Sequence, residues 1–204
     1  MKALLVLLLA AQAGFFVLFS PWTKDIPFWP VMTVMTAVLG GGALALDWQM
    51  LKAVFRFDCS AVILGVGSAI ILYGLFWLGY WISSAVLPFA ASQVQSVYAV
   101  RAGQNPWIIT GLLCLIIAPA EEIFWRGFVL HRLSRQFGFA AGLAAAAAVY
   151  ALVHIWSFNL MLSAAAGICG VYWALLFFLT QNLWSCIISH CLWDVMIFVL
   201  FPIQ

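Results

Sequence analysis

Charge is what this sequence has least of. Lys, Arg, Asp and Glu make up 7% of the 204 residues, against about 25% in ordinary soluble domains. Hydrophobic residues make up 67%. That balance excludes a solvated globular surface and points to a polytopic membrane protein. The net charge of +2 is small, and no long basic run occurs, so nucleic acid is not an expected partner. There is no polar low-complexity tail and no convincing internal repeat. Inverted repeats are common in secondary transporters. The five cysteines, Cys59, Cys114, Cys169, Cys186 and Cys191, show no CxxC spacing. They read as small buried hydrophobes rather than disulfides or zinc ligands.

What is present is a series of long apolar runs. Met1 to Phe19 reads as an uncleaved first span. Ala11-Gln12-Ala13 has the small-x-small form of a leader cleavage site, but the apolar run continues past it. After a turn rich in proline, a second span is expected from about Trp29 to Leu46. Its Gly40-Gly41-Gly42 suits close helix packing. Asp47 to Asp58 reads as an amphipathic connection at the headgroups. Cys59 to Ala91 carries no charge over 33 residues, and a tilted third span ending near Pro88 is expected. Ser92 to Pro106 is the most polar stretch, a loop or surface helix.

Four further spans are expected: Trp107 to about Leu130, Phe137 to Trp156, Leu160 to Leu179 and Leu183 to Phe201. His131, Arg132 and Arg135 make a short basic loop after the fourth. Gly138 and Gly142 form a GxxxG pair ahead of Ala144 to Ala148, which predicts a thin fifth helix at the bundle centre. The expected fold is an all-α transmembrane bundle of about seven spans. Residues 1–106 supply N-terminal spans and interfacial segments, and 107–204 a catalytic helix core. Lys2, Lys52, Arg56, Arg132 and Arg135 fall at one end, with Lys24 and Arg101 at the other. That bias predicts a cytoplasmic N-terminus.

The few charges that enter the apolar runs are the informative ones. Glu121, Glu122, Arg126 and Asp194 each cost roughly 2.5 to 3.5 kcal/mol at a helix centre, about 10 kcal/mol together. Such groups persist by pairing, by facing a wet cavity, or by doing chemistry. Glu122 and Arg126 are four apart and share a helix face, so an ion pair is expected. Glu121 points elsewhere and is left for a cavity. Pro119, just before the pair, removes one backbone donor and bends the helix. His190 and Asp194 are also four apart, and His154 is the polar group of the fifth span. Counted from the basic end, Glu121 lies about 15 Å deep and His154 about 24 Å, so a tilt or kink is needed for them to meet. A carboxylate that takes a proton from water, with imidazoles to orient the water or stabilise an oxyanion, is a minimal set for peptide hydrolysis. The same groups, Glu121, His154 and His190, are also ordinary zinc ligands. Ionisable residues in a span equally mark proton relays, so a proton-coupled transporter stands as the competing class.

Glu-Glu-x-x-x-Arg at 121–126, aromatic-x-x-x-His at 150–154 and His-x-x-x-Asp at 190–194 together resemble the CPBP family. This is the family of CAAX-processing and bacteriocin-processing intramembrane proteases, also called Abi. The resemblance covers about Trp107 to Phe201. It implies a glutamate-type intramembrane endopeptidase, called a metalloprotease in older usage, working without a required cofactor. By that resemblance Glu121 activates water, His154 holds it, and His190 with Asp194 forms the oxyanion site. Glu122, Arg126 and Tyr150 support them. Two positions depart from the usual pattern. Tyr150 stands where Phe is common, and Asp194 stands where Asn is frequent. An Asn amide donates to an oxyanion, whereas an ionised Asp only accepts. The implied substrate is a membrane-associated protein or peptide, and the implied setting a bacterial inner membrane. An immunity factor of the same fold without activity is the alternative within the family.

Overall fold

The computed structural model describes residues 1–203. Among them the structure is all-helical, without strands. Seven helices are long and apolar enough to cross a membrane. They are α1 (Lys2–Phe19), α2 (Phe28–Val54), α3 (Cys59–Val86), α5 (Pro106–Phe137), α6 (Phe139–Ser157), α7 (Leu160–Thr180) and α8 (Leu183–Leu200). The short α4 (Ala90–Tyr98) lies between the third and fourth spans.

Polar residues at the turns set where the helices begin. Asn159 Oδ1 accepts from the Leu162 N–H at 2.9 Å, and Asn182 Oδ1 accepts from the Trp184 N–H at 3.0 Å. Asp58 does the same for the Ala61 N–H at 2.8 Å. Each satisfies a backbone donor that the first helical turn leaves free. The Ser60 hydroxyl and the Ala61 N–H also hold the Asp58 carboxyl below its ordinary pKa.

Two expectations about the spans are corrected. A helical segment runs on to Val54, but the second span breaks next to its expected end at Leu46, at Asp47, where φ is −131° and ψ is 26°. The Arg132 guanidinium grips that residue, with Nε and Nη2 donating to the two carboxylate oxygens at 2.7 Å each. The expected basic loop is therefore the last helical turns of α5. The fifth span is also not the central one. A larger share of α8 and α5 is buried than of α6. Gly138 is a turn residue, with φ +80°, that separates α5 from α6. Gly142 is a packing residue, because any side chain there would collide with the Ser134 backbone.

The seventh span is enclosed by the others. It lies along α3, where Gly65 leaves room for the Ser185 carbonyl and Ile188. The Ser68 and Ser189 hydroxyls meet across that contact at 2.7 Å. On the other side α8 meets α5 and α7. Only one of the three consecutive glycines of α2 makes a close approach. Gly40 lies against Ala120, next to Glu121, with no room for a Cβ. Exposed Trp22, Trp48 and Trp107 lie near helix ends, as expected of an interfacial belt.

Candidate active site

The fourth span is irregular where it carries its charges. The segment Ala118–Glu122 is α-helical, but it is flanked by π-helical turns at Leu113–Ile117 and Ile123–Leu130. Such wide turns re-aim side chains and recur where a helix carries function. They accompany the backbone donor that Pro119 lacks. Glu121, Glu122 and Arg126 are all buried here.

Glu122 and Arg126 form the expected ion pair, Nη1 to Oε1 at 2.9 Å. Sequence spacing missed the third member. His190 Nδ1 donates to the same Glu122 Oε1 at 2.7 Å. Its other nitrogen, Nε2, lies 3.5 Å from Asp194 Oδ2. His190 is thus held between two carboxylates, one from α5 and one from its own helix. Arg126 is held further by donating to the Cys169 carbonyl at 3.2 Å and by lying over the Tyr150 and Trp173 rings. A charge with no water around it needs such partners.

Trp173 was also missed. Its ring stacks on His190, centroids 3.9 Å apart and 26° from parallel. Its Nε1–H donates to Ser189 Oγ at 3.0 Å, which in turn meets Ser68. A tryptophan on an apolar helix gives no signal of this role until its neighbours are known.

Glu121 belongs to a different network. The Tyr150 hydroxyl donates to Glu121 Oε2 at 3.1 Å. The Tyr150 carbonyl faces His154 Nδ1 at 2.8 Å. A carbonyl only accepts, so Nδ1 carries the proton and Nε2 keeps its lone pair. His154 occupies the C-cap of α6, and Phe15 and Phe19 of the first span pack on its ring. One tyrosine therefore ties the acid of α5 to the imidazole of α6, and bridges the difference in depth expected from residue counts.

Glu121, His154, His190 and Asp194 all line one cavity of about 380 Å³. The rest of its wall is largely aliphatic and aromatic, with Tyr150 and Trp173 among the lining groups. Such a volume is ordinary for a ligand site, roughly 300 to 1,000 Å³. Glu122 and Arg126 stand behind this wall. Tyr98, on α4 outside the spans, also lines it, and burial raises its phenol pKa. No three His, Cys, Asp or Glu side chains among the described residues converge as metal ligands. Both nitrogens of His190 already face carboxylates.

Residues 103–196 match the family model described as type II CAAX prenyl endopeptidase, Rce1-like. Over this stretch the chain is similar to the Rce1-like family. The matched residues include Glu121, Tyr150, His154, His190 and Asp194, which line the cavity. No curated protein and no solved structure matches the sequence. This likeness and the seven apolar helices support an integral membrane protein.

Proposed function

We propose that this protein is a glutamate-type intramembrane endopeptidase that hydrolyses one peptide bond of a membrane-associated protein or peptide. CAAX-type or C-terminal processing is the reaction class. The observation that carries the reading is Tyr150. Its hydroxyl donates to Glu121 while its carbonyl fixes His154, so a carboxylate and a neutral imidazole share one cavity wall. In this mechanism Glu121 takes a proton from water as the oxygen attacks the scissile carbonyl. His154 Nε2 accepts the water's second hydrogen bond and orients it. His190 supplies positive charge for the developing oxyanion. Asp194 orients His190 rather than donating to the oxyanion itself, since a carboxylate is an acceptor only. Glu121 then returns its proton to the departing amine, and the bond separates into a carboxylate and an amine.

Glu122 and Arg126 are positioning residues, because they act through His190 and the helix rather than on the reacting atoms. The chemistry needs no metal. The proposed setting is a bacterial inner membrane with the N-terminus in the cytoplasm. The test is purified protein in lipid with a candidate substrate peptide. Glu121→Gln is expected to lower turnover by about 10²- to 10⁴-fold, the range for loss of a general base, with the thermal midpoint in detergent unchanged. Unimpaired cleavage by folded E121Q would discard the reading. A chelator is expected to leave the wild-type rate unchanged.

A further inference from the structure

One cation stands at the rim of the cavity and pairs with no acid. Arg101 follows α4 and is half-buried. Its Nη1 donates to the Phe198 carbonyl at 3.0 Å, and its guanidinium carbon lies 5.3 Å from the centre of the Tyr98 ring. Tyr98, Val100 and Phe198 all line the cavity. Trp29, another lining residue, holds the same turn by donating from Nε1 to the Val100 carbonyl at 2.9 Å. The guanidinium is therefore fixed, with a carbonyl on one edge and an aromatic face beside it. Among the described residues no carboxylate lies within ion-pair distance of it.

A guanidinium carries several N–H donors in a planar fork that matches the two oxygens of a carboxylate. One donor of Arg101 is used on Phe198. Capping the last turn of α8 accounts for that contact, but it leaves the charge without a counterion. Arg126, the arginine behind the inner wall, is taken by Glu122. The cavity thus has a polarity along its length. An anionic group placed deep meets Glu121 and Asp194, whereas one held at the rim meets Arg101.

We infer that Arg101 anchors the free terminal carboxylate of the substrate, so that the site reads the end of a chain as well as its apolar residues. This deepens the C-terminal processing reading and rests on it. Along α8 the rise from His190 to Phe198 is about 12 Å. An extended chain covers about 3.3 Å per residue, so the scissile bond lies roughly three or four residues from the carboxylate. Arg101 holds the chain end equally before and during bond breaking. It therefore sets affinity and specificity rather than the rate of the chemical step.

The test uses the full chain in lipid nanodiscs. A fluorescent synthetic peptide with an apolar C-terminal end is made once with a free terminal carboxylate and once as the terminal amide. Binding is measured on E121Q, so that affinity is read without turnover. Amidation is expected to weaken binding about 10- to 100-fold, the worth of a hydrogen bond to a charged group. Arg101→Gln in the same background keeps a donor for the Phe198 carbonyl and removes the charge. It is expected to bind both peptides as weakly as E121Q binds the amide. Arg101→Ala is a second variant should that one fold poorly. Equal binding of the two peptides by E121Q, no binding of either, or a carboxylate preference that survives in R101Q overturns the inference. Equal weakening of both peptides by R101Q means that Arg101 only caps α8, and overturns it too. With Glu121 intact, R101Q is expected to raise KM for the carboxylate peptide and leave kcat unchanged. A carboxylate preference that depends on Arg101, together with full activity of E121Q, would keep the anchor and remove the peptidase reading. Equal handling of the two peptides, with cleavage lost in E121Q, would do the reverse.

Discussion

At the scale of single residues, the site depends on side chains whose two ends do different things. Tyr150 is one, with its hydroxyl on Glu121 and its carbonyl on His154. Tyr150→Phe removes only the hydroxyl contact. A hydrogen bond to a charged group is worth about 1.5 to 3 kcal/mol, so kcat is expected to fall about 10- to 100-fold with KM little changed. A KM effect alone would mean that the hydroxyl binds substrate instead of positioning the base. Glu122 works through a single atom instead, since Oε1 accepts from both Arg126 and His190. Removing one partner of a buried ionic group costs about 3 to 5 kcal/mol. Glu122→Ala is therefore expected to lower the unfolding midpoint markedly, whereas E121Q is not. Equal thermal shifts for the two variants would contradict the division between a structural and a reacting carboxylate. That the two carboxylates meet different partners was legible from spacing, because residues one apart differ by about 100° around a helix.

At the scale of elements, close approach matters more than helix propensity. Gly40 lets α2 reach the backbone of Ala120, one residue from Glu121. Overfilling a packed contact costs about 1 to 3 kcal/mol. Gly40→Val is expected to reduce stability by that amount and to depress activity further, because α5 must shift at the site. Gly41→Ala, next to it, meets nothing nearby and is expected to be neutral in both assays. The glycine triplet marked a packing helix in the sequence, but not which glycine, since that depends on what the partner helix presents. The same holds for the GxxxG pair, where Gly138 turns the chain and only Gly142 packs. The kink in α2 falls at Asp47, one residue past the end expected for the span. The bidentate contact from Arg132, 85 residues away, grips that kink.

At the scale of the whole molecule, the N-terminal spans help build the site. Phe15 and Phe19 of α1 pack on His154, and Ser68 of α3 closes the chain of contacts through Ser189 to Trp173 and His190. Deletion of residues 2–19 is expected to abolish cleavage even where the remaining spans still insert, as read by protease protection in the same membranes. Full activity of that truncated protein would place His154 outside the reacting set. Composition and hydropathy alone were enough for the membrane class, the seven spans and the buried acids, because the bilayer demands about 20 apolar residues per crossing and makes every intramembrane charge conspicuous. Helical spacing was enough for pairs on one helix, Glu122 with Arg126 and His190 with Asp194. It was silent on which helices meet. The joining of Glu121 to His154 through Tyr150, the sharing of Glu122 by Arg126 and His190, and the stacking of Trp173 on that imidazole are contacts between spans. Tertiary packing alone decided them, since periodicity orients a side chain about its own axis and carries no record of the neighbour it faces.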